Sequence, residues 1–142
     1  KKHVFDDDSI VLVDDQLAAE GERIVFKRLR VVCGTDGPQT AEIDLTIEGD
    51  EKYAIARGNG PVDAVFNAIR QIVPHDAKLD LYQVHAVTGG TDAQATVSVR
   101  LNGEGIMATG RSSDPDTLVA SAKAYLHAVN KLEARKAKRK AA

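Results

Sequence analysis

The sequence contains no tryptophan, one cysteine (Cys33), one methionine and four prolines in 142 residues. One thiol excludes an internal disulfide and a cysteine-based zinc site, so nothing here requires an oxidising compartment, and Cys33 is expected to pack within a strand. Aromatic residues make up only 4%, which leaves Val, Ile, Leu and Ala to build the core. No run approaches the ~18 apolar residues that span a bilayer. Lys1-Lys2-His3 also leads straight into Asp6-Asp7-Asp8 with no apolar signal segment between. The expectation is a cytoplasmic protein with no membrane partner. Positive charge is not in excess either: 19 Lys and Arg stand against 21 Asp and Glu, for a net charge of −2. Nucleic-acid binding draws on a basic face that displaces counterions, so no nucleic-acid partner is expected.

What is present is the composition of an ordinary globular domain, 43% hydrophobic and 28% charged. The length suits one domain with a real core, and a start at Lys1 without methionine is expected of a fragment. Residues 1–21 are acidic, end in Gly21, and read as a linker remnant from an upstream subdomain, with a short helix near Val11 to Ala19. Strand patterning follows. Ala41, Ile43, Leu45 and Ile47 alternate with Thr40, Glu42, Asp44, Thr46 and Glu48, and further strands are expected over about Arg23 to Cys33 and Lys52 to Arg57. The period then changes to three and four at Val62, Val65, Phe66, Ile69, Ile72 and Val73, a helix that Pro61 opens and Pro74 closes. The same programme recurs with strands over about Leu79 to Thr88, Ala93 to Leu101 and Gly105 to Gly110. A second helix then follows Pro115, on the stripe Leu118, Val119, Ala122, Tyr125, Leu126, Val129 and Leu132.

A shift of 54 places lays Ala41, Ile43, Leu45 and Ile47 over Ala95, Val97, Val99 and Leu101, Pro61 over Pro115, and Ile72 over Leu126. A duplication of βββα units is implied: repeat 1 about 22–74, repeat 2 about 75–135, and a basic tail over 136–142. Each unit buries its sheet against its helix, so the expected fold class is α+β, two pseudo-twofold-related βββα units forming a sheet and helix sandwich.

Catalytic chemistry finds little support. His3, His75, His85 and His127 lie in different elements and none has a partner at metal-ligand spacing, so no metal site is expected. There is no Gly-x-Ser-x-Gly elbow and no local Cys–His pairing. Asp6-Asp7-Asp8 reads as solvated linker. The basic run Lys131, Arg135, Lys136, Lys138, Arg139 and Lys140 suits the C-terminal turns of a helix, where cations complement the dipole.

The informative segment is Arg57-Gly58-Asn59-Gly60-Pro61-Val62-Asp63-Ala64, where a strand ends in glycines and a helix begins at proline. Gly60 offers no capping side chain, so the helix's first N–H groups are left for a ligand such as an amino-acid carboxylate. Its repeat partner at a shift of 54, Asp114, is expected to cap the second helix itself. A second segment, Ala86-Val87-Thr88-Gly89-Gly90-Thr91-Asp92-Ala93-Gln94, is a glycine-rich connection whose small residues beside Tyr82 leave room for a branched aliphatic side chain.

These segments resemble the C-terminal regulatory domain shared by 2-isopropylmalate synthases and citramalate synthases. The resemblance rests on Gly58 to Ala64, on Thr91-Asp92-Ala93-Gln94, and on Asp116 through Ser121-Ala122-Lys123-Ala124-Tyr125 to Asn130. It covers about residues 22 to 132, and Val4-Phe5-Asp6-Asp7-Asp8 also resembles the end of that family's linker subdomain. It implies a regulatory module, not an enzyme in itself, that dimerises with its end-product amino acid near the dimer interface. The implied effector is leucine, with isoleucine (a citramalate synthase) or a dimerisation module without a ligand site as alternatives. The implied leucine site comprises Gly58, Asn59, Gly60, Pro61, Val62, Asp63, Tyr82, Ala86, Asp92, Ala93, Asp116 and Thr117. No catalytic residue, metal or cofactor is expected in this fragment. The implied parent is an acyltransferase whose separate barrel, with a divalent metal, condenses acetyl-CoA with 2-oxoisovalerate. Gly110-Arg111-Ser112-Ser113, ahead of the second helix, departs from the family's glycine-rich pattern.

Overall fold

In a computed structural model, residues 22–86 and 93–141 are described. They form strands β1 (Ile24–Val32), β2 (Gln39–Ile47) and β3 (Asp50–Gly58), helix α1 (Pro61–Ile72), strands β4 (Lys78–Ala86), β5 (Ala95–Gly103) and β6 (Ile106–Asp114), and helix α2 (Thr117–Ala141). Each trio is an antiparallel meander, ordered β1-β2-β3 and β4-β5-β6. The expected pair of βββα units is therefore the observed architecture.

The alternation in β2 explains its place at the centre of the first sheet. Ala41, Ile43 and Leu45 are fully buried against α1, whereas Glu42 and Asp44 point outward, where they pair with Arg30 at 3.4 Å and Arg28 at 2.6 Å on β1. In β5, Val97, Val99 and Leu101 play the same part beneath α2.

The duplication does not run at a single shift. A left-handed Glu-Gly turn closes each second hairpin, with φ of 52° and 89° at Glu48 and Gly49, and of 54° and 79° at Glu104 and Gly105. These turns lie 56 residues apart, as do the two first helical bonds, from Ala64 N–H to the Gly60 carbonyl and from Ala120 N–H to the Asp116 carbonyl. The bulge of β1 between Phe26 and Arg28, by contrast, meets that of β4 between Leu79 and Leu81 at a shift of 53. Repeat 2 thus holds three extra residues in its first hairpin connection. A strand has period two, so shifts of 54 and 56 lay apolar residues on the same side, and the strand pattern cannot choose between them.

Three local expectations are corrected. β6 continues to Asp114, because Gly110, Arg111, Ser112 and Ser113 pair with Val99, Ser98, Val97 and Thr96 through backbone groups that need no apolar side chains. Asp116, not Asp114, caps α2: its Oδ1 accepts the N–H of Leu118 at 2.8 Å, while Asp114 accepts the Asp116 N–H at 2.8 Å. Cys33 lies exposed just beyond β1, where Gln39 folds back onto the Gly34 N–H and carbonyl at 3.2 and 2.7 Å. The other strand ends within the described residues fall within two residues of expectation, while the expected end of β4 at Thr88 and the short helix near Val11 to Ala19 lie outside the described residues.

α2 is the central element. It packs on β5 and β6 and also touches α1 and β1, so its first half is buried well beyond one stripe, at Ala120, Ser121, Ala122, Ala124, Tyr125, Leu126, Ala128 and Val129. The alanines let it fit, and at Gly110 a Cβ would lie 2.1 Å from the Ala124 carbonyl oxygen. Farther along, Lys131 Nζ donates to the Thr109 carbonyl at 2.9 Å, Arg135 to that of Met107, and Arg139 to that of Glu104 at 2.8 Å. A cationic row at four-residue spacing therefore runs along β6 and the turn before it, and the residues read as a basic tail remain helical through Ala141.

Candidate functional site

α1 starts as its sequence dictates. Gly60 is the N-cap in extended backbone (φ −155°, ψ 172°), Pro61 occupies the first turn, and no side chain bonds the free N–H groups. Pro61 has no N–H and Ala64 bonds the Gly60 carbonyl at 3.0 Å, which leaves the Val62 and Asp63 donors as the helix's open end. Asp63 reaches back across the first turn, where its Oδ2 accepts the Asn59 N–H at 2.9 Å, and Asn67 donates to the Arg57 carbonyl at 2.9 Å, so both brace the Gly58–Gly60 loop. Gly58 is fixed by contact, since a Cβ there would lie 2.3 Å from the Ala64 nitrogen.

Tyr82 forms the second part of the site. It lies on the helix-facing side of β4, opposite Val99. Its ring meets Phe66 of α1 edge-on, with centroids 5.8 Å apart and planes at 79°. Phe66 lies one helical turn past Val62, about 6 Å farther along the axis of α1. The Tyr82 hydroxyl bonds Ser121 Oγ at 2.7 Å, and Ser121 donates to the Thr117 carbonyl at 2.8 Å. Tyr82 is therefore the donor in the first of these bonds. Phe66 also stacks on Tyr125 at 4.3 Å, whose hydroxyl meets His75 Nε2 at 2.8 Å. Burial pushes the Tyr125 phenol above its ordinary value, and burial, then Arg70 and Lys136, pushes His75 down.

The expected residues thus fall into two groups joined through Phe66. Gly58, Asn59, Gly60, Pro61, Val62 and Asp63 make the α1 start, and Tyr82 is tied to the first turn of α2, where Asp116 and Thr117 are exposed. Ala86 ends β4, Ala93 is exposed just before β5, and Asp92 lies outside the described residues. Asp116 spends its carboxylate on its own helix, accepting the N–H groups of Leu118 at 2.8 Å and Val119 at 3.4 Å. Sequence reasoning missed Phe66 and Ser121 as site residues. Phe66 was visible only as part of the α1 stripe and Ser121 only as part of the Ser-Ala-Lys-Ala-Tyr segment.

Beside Tyr82 the same side of β4 stays open. Leu79 and Val84 face the helix layer, opposite buried Leu101 and Val97, yet remain 43% and 45% exposed. Their counterparts Phe26 and Val31 on β1 pack against the core. Among the described residues no group of three His, Cys, Asp or Glu side chains could hold a metal ion, and no helix is long and apolar enough to cross a membrane.

The profile of the LeuA allosteric (dimerisation) domain matches residues 3–133. The chain belongs to this family. Individual relatives agree: the LeuA domain here is 66% identical over 138 residues to the 2-isopropylmalate synthase of Caulobacter sp. strain K31, covering 97% of this chain and 26% of that protein. It is 59% identical over 132 residues to the 2-isopropylmalate synthase of Nitrobacter hamburgensis, covering 93% and 25%. The chain spans about a quarter of the length of the curated relatives it matches.

Proposed function

We propose that this LeuA domain binds leucine and relays feedback inhibition within a cytoplasmic 2-isopropylmalate synthase, an acyltransferase whose catalytic barrel and metal lie elsewhere in the same chain. The observation that carries the reading is the contrast between helix starts. Asp116 caps α2 with its own side chain, whereas the equivalent position in α1 is Gly60, with two N–H donors open, no atom within 4 Å of where a Gly60 Cβ would stand, and Phe66, which meets Tyr82, one turn along the helix. An amino-acid carboxylate suits the open donors and the positive end of the helix dipole. A branched aliphatic side chain suits the rings. The open side of β4 at Leu79 and Val84 supports a homodimer in which a second copy covers it and closes the pocket. Gly58 to Asp63, Tyr82, Ala86, Asp92 and Ala93 then line the effector, with Asp116 and Thr117 at the rim, and no cofactor is needed in this domain.

Calorimetric titration of the chain with leucine and isoleucine tests this reading. Leucine is expected to bind more tightly, by the ~10–200-fold that a misplaced methyl group commands. Tighter isoleucine binding would reassign the module to citramalate-type regulation. No heat with leucine, isoleucine or valine, together with no thermal shift at saturation, would leave a dimerisation module alone.

A further inference from the structure

α2 joins the candidate effector site to the place where the preceding chain arrives, and its two ends are held by different chemistry. At the start, Ser121 is bound to Tyr82. Nine residues later, about 14 Å along the axis, Asn130 is 7% exposed. Its amide grips both backbone groups of the first β1 residue: Oδ1 accepts the Ile24 N–H at 3.0 Å and Nδ2 donates to the Ile24 carbonyl at 2.9 Å. One turn on, Glu133 takes Arg23 Nη1 in both carboxylate oxygens at 2.5 and 2.6 Å. Arg23 is also tied to β2–β3, through Nε to Glu48 at 3.3 Å and through its carbonyl to the Glu48 N–H at 2.9 Å.

We propose that α2 is a lever in which Asn130 and Glu133 are positioning residues that convert a displacement at the Tyr82–Ser121 end into a displacement of the chain leading upstream from residue 22. This rests on the effector reading above. Between the two ends α2 is walled in by the core at Ala122, Ala124, Tyr125, Leu126, Ala128 and Val129, and a close-packed rod moves as a body rather than bending. The Asn130 amide is matched donor to acceptor and acceptor to donor against Ile24, which fixes its orientation. A surface ion pair alone is weakly coupled, but behind a buried two-bond clamp it aligns Arg23 with the same helix. An effector acts at a distance only by favouring one of two arrangements, and α2 is the element that touches both ends.

Asn130→Asp keeps the shape of the side chain but sets a carboxylate against the Ile24 carbonyl. In the full-length protein, leucine affinity is measured by calorimetry and leucine inhibition by turnover, with circular dichroism as the folding control. The expected result is a dissociation constant within about threefold of wild type, an unchanged uninhibited rate, and a half-inhibiting leucine concentration raised at least ~10-fold. If affinity and inhibition fall in parallel, the clamp only supports the pocket and the lever is wrong. A folded variant inhibited at the wild-type concentration also overturns it. Should Asn130→Asp fail to fold, Glu133→Gln decides: inhibition weakened ~3-fold or more at unchanged affinity supports the lever, and unchanged inhibition overturns it. A wild-type protein that binds no leucine fails at an earlier step, sinking the effector reading and the lever with it.

Discussion

Two glycines set two residues apart answer to different constraints. Gly58 cannot carry a side chain because Ala64 is in the way, so Gly58→Ala should force α1 off β3 and cost ~1–3 kcal/mol in urea unfolding, as overpacking does. Gly60 has nothing within 4 Å of where a Cβ would go and an extended backbone that any residue adopts. Gly60→Asp should therefore fold, gain up to ~1 kcal/mol from a new N-cap, and lose leucine binding as its carboxylate takes the open donors. Unchanged binding in a folded Gly60→Asp domain would move the pocket elsewhere. His75 gives a pH signature. Its Nδ1 accepts the Ala77 N–H at 3.2 Å while Nε2 meets the Tyr125 hydroxyl at 2.8 Å, so both nitrogens are engaged with the ring neutral. Arg70 and Lys136 oppose the charged form, and Asp76 and Glu133 favour it less strongly than burial and these cations disfavour it. With the folded pKa below the ordinary 6.5, its stabilisation is complete above that pH and is lost as pH falls through the folded value. Melting temperature should drop on acidification below about 6.5, and His75→Gln should flatten that slope.

At the scale of elements, the helix caps carry the clearest contrast. Asp116→Ala removes the acceptor for the Leu118 N–H and should cost ~1 kcal/mol by denaturant melts. Asp114→Ala, which touches only the linking N–H and a 3.8 Å pair with Lys123, should cost less. Which aspartate caps was not legible in the sequence, because Pro115 lies under Pro61 at a shift of 54 and strand alternation tolerates a slip of two. The left-handed Glu-Gly turns discriminate, yet their φ values are a property of folded backbone. The open start of α1 was legible because glycine and proline act locally, on dihedral and donor inventory. Phe66 and Ser121 were not, because their roles arise from contacts across elements that no single periodicity encodes. The breadth of burial on α2 was hidden for the same reason: alanines on its flanks look neutral until a second sheet is packed there.

For the whole molecule, the edges of the two sheets decide what else can bind. α2 masks β6 through Lys131, Arg135 and Arg139 and holds the start of β1 through Asn130, and unguarded strand edges recruit other strands. The double variant Arg135→Glu with Arg139→Glu should uncover the carbonyls of Met107 on β6 and of Glu104 in the turn before it, and give concentration-dependent species larger than the wild-type assembly in light scattering. An unchanged mass distribution would show that the edge is protected by other means. The hairpin that carries Cys33 has a separate consequence. It holds the sole thiol of the sequence, exposed and set beside a loop that Gln39 braces. A spin label or fluorophore can therefore be attached at one defined position with no engineered mutation. In a symmetric pair of copies the two labels would define one interprobe distance, a ruler already built into the chain for following assembly and effector response.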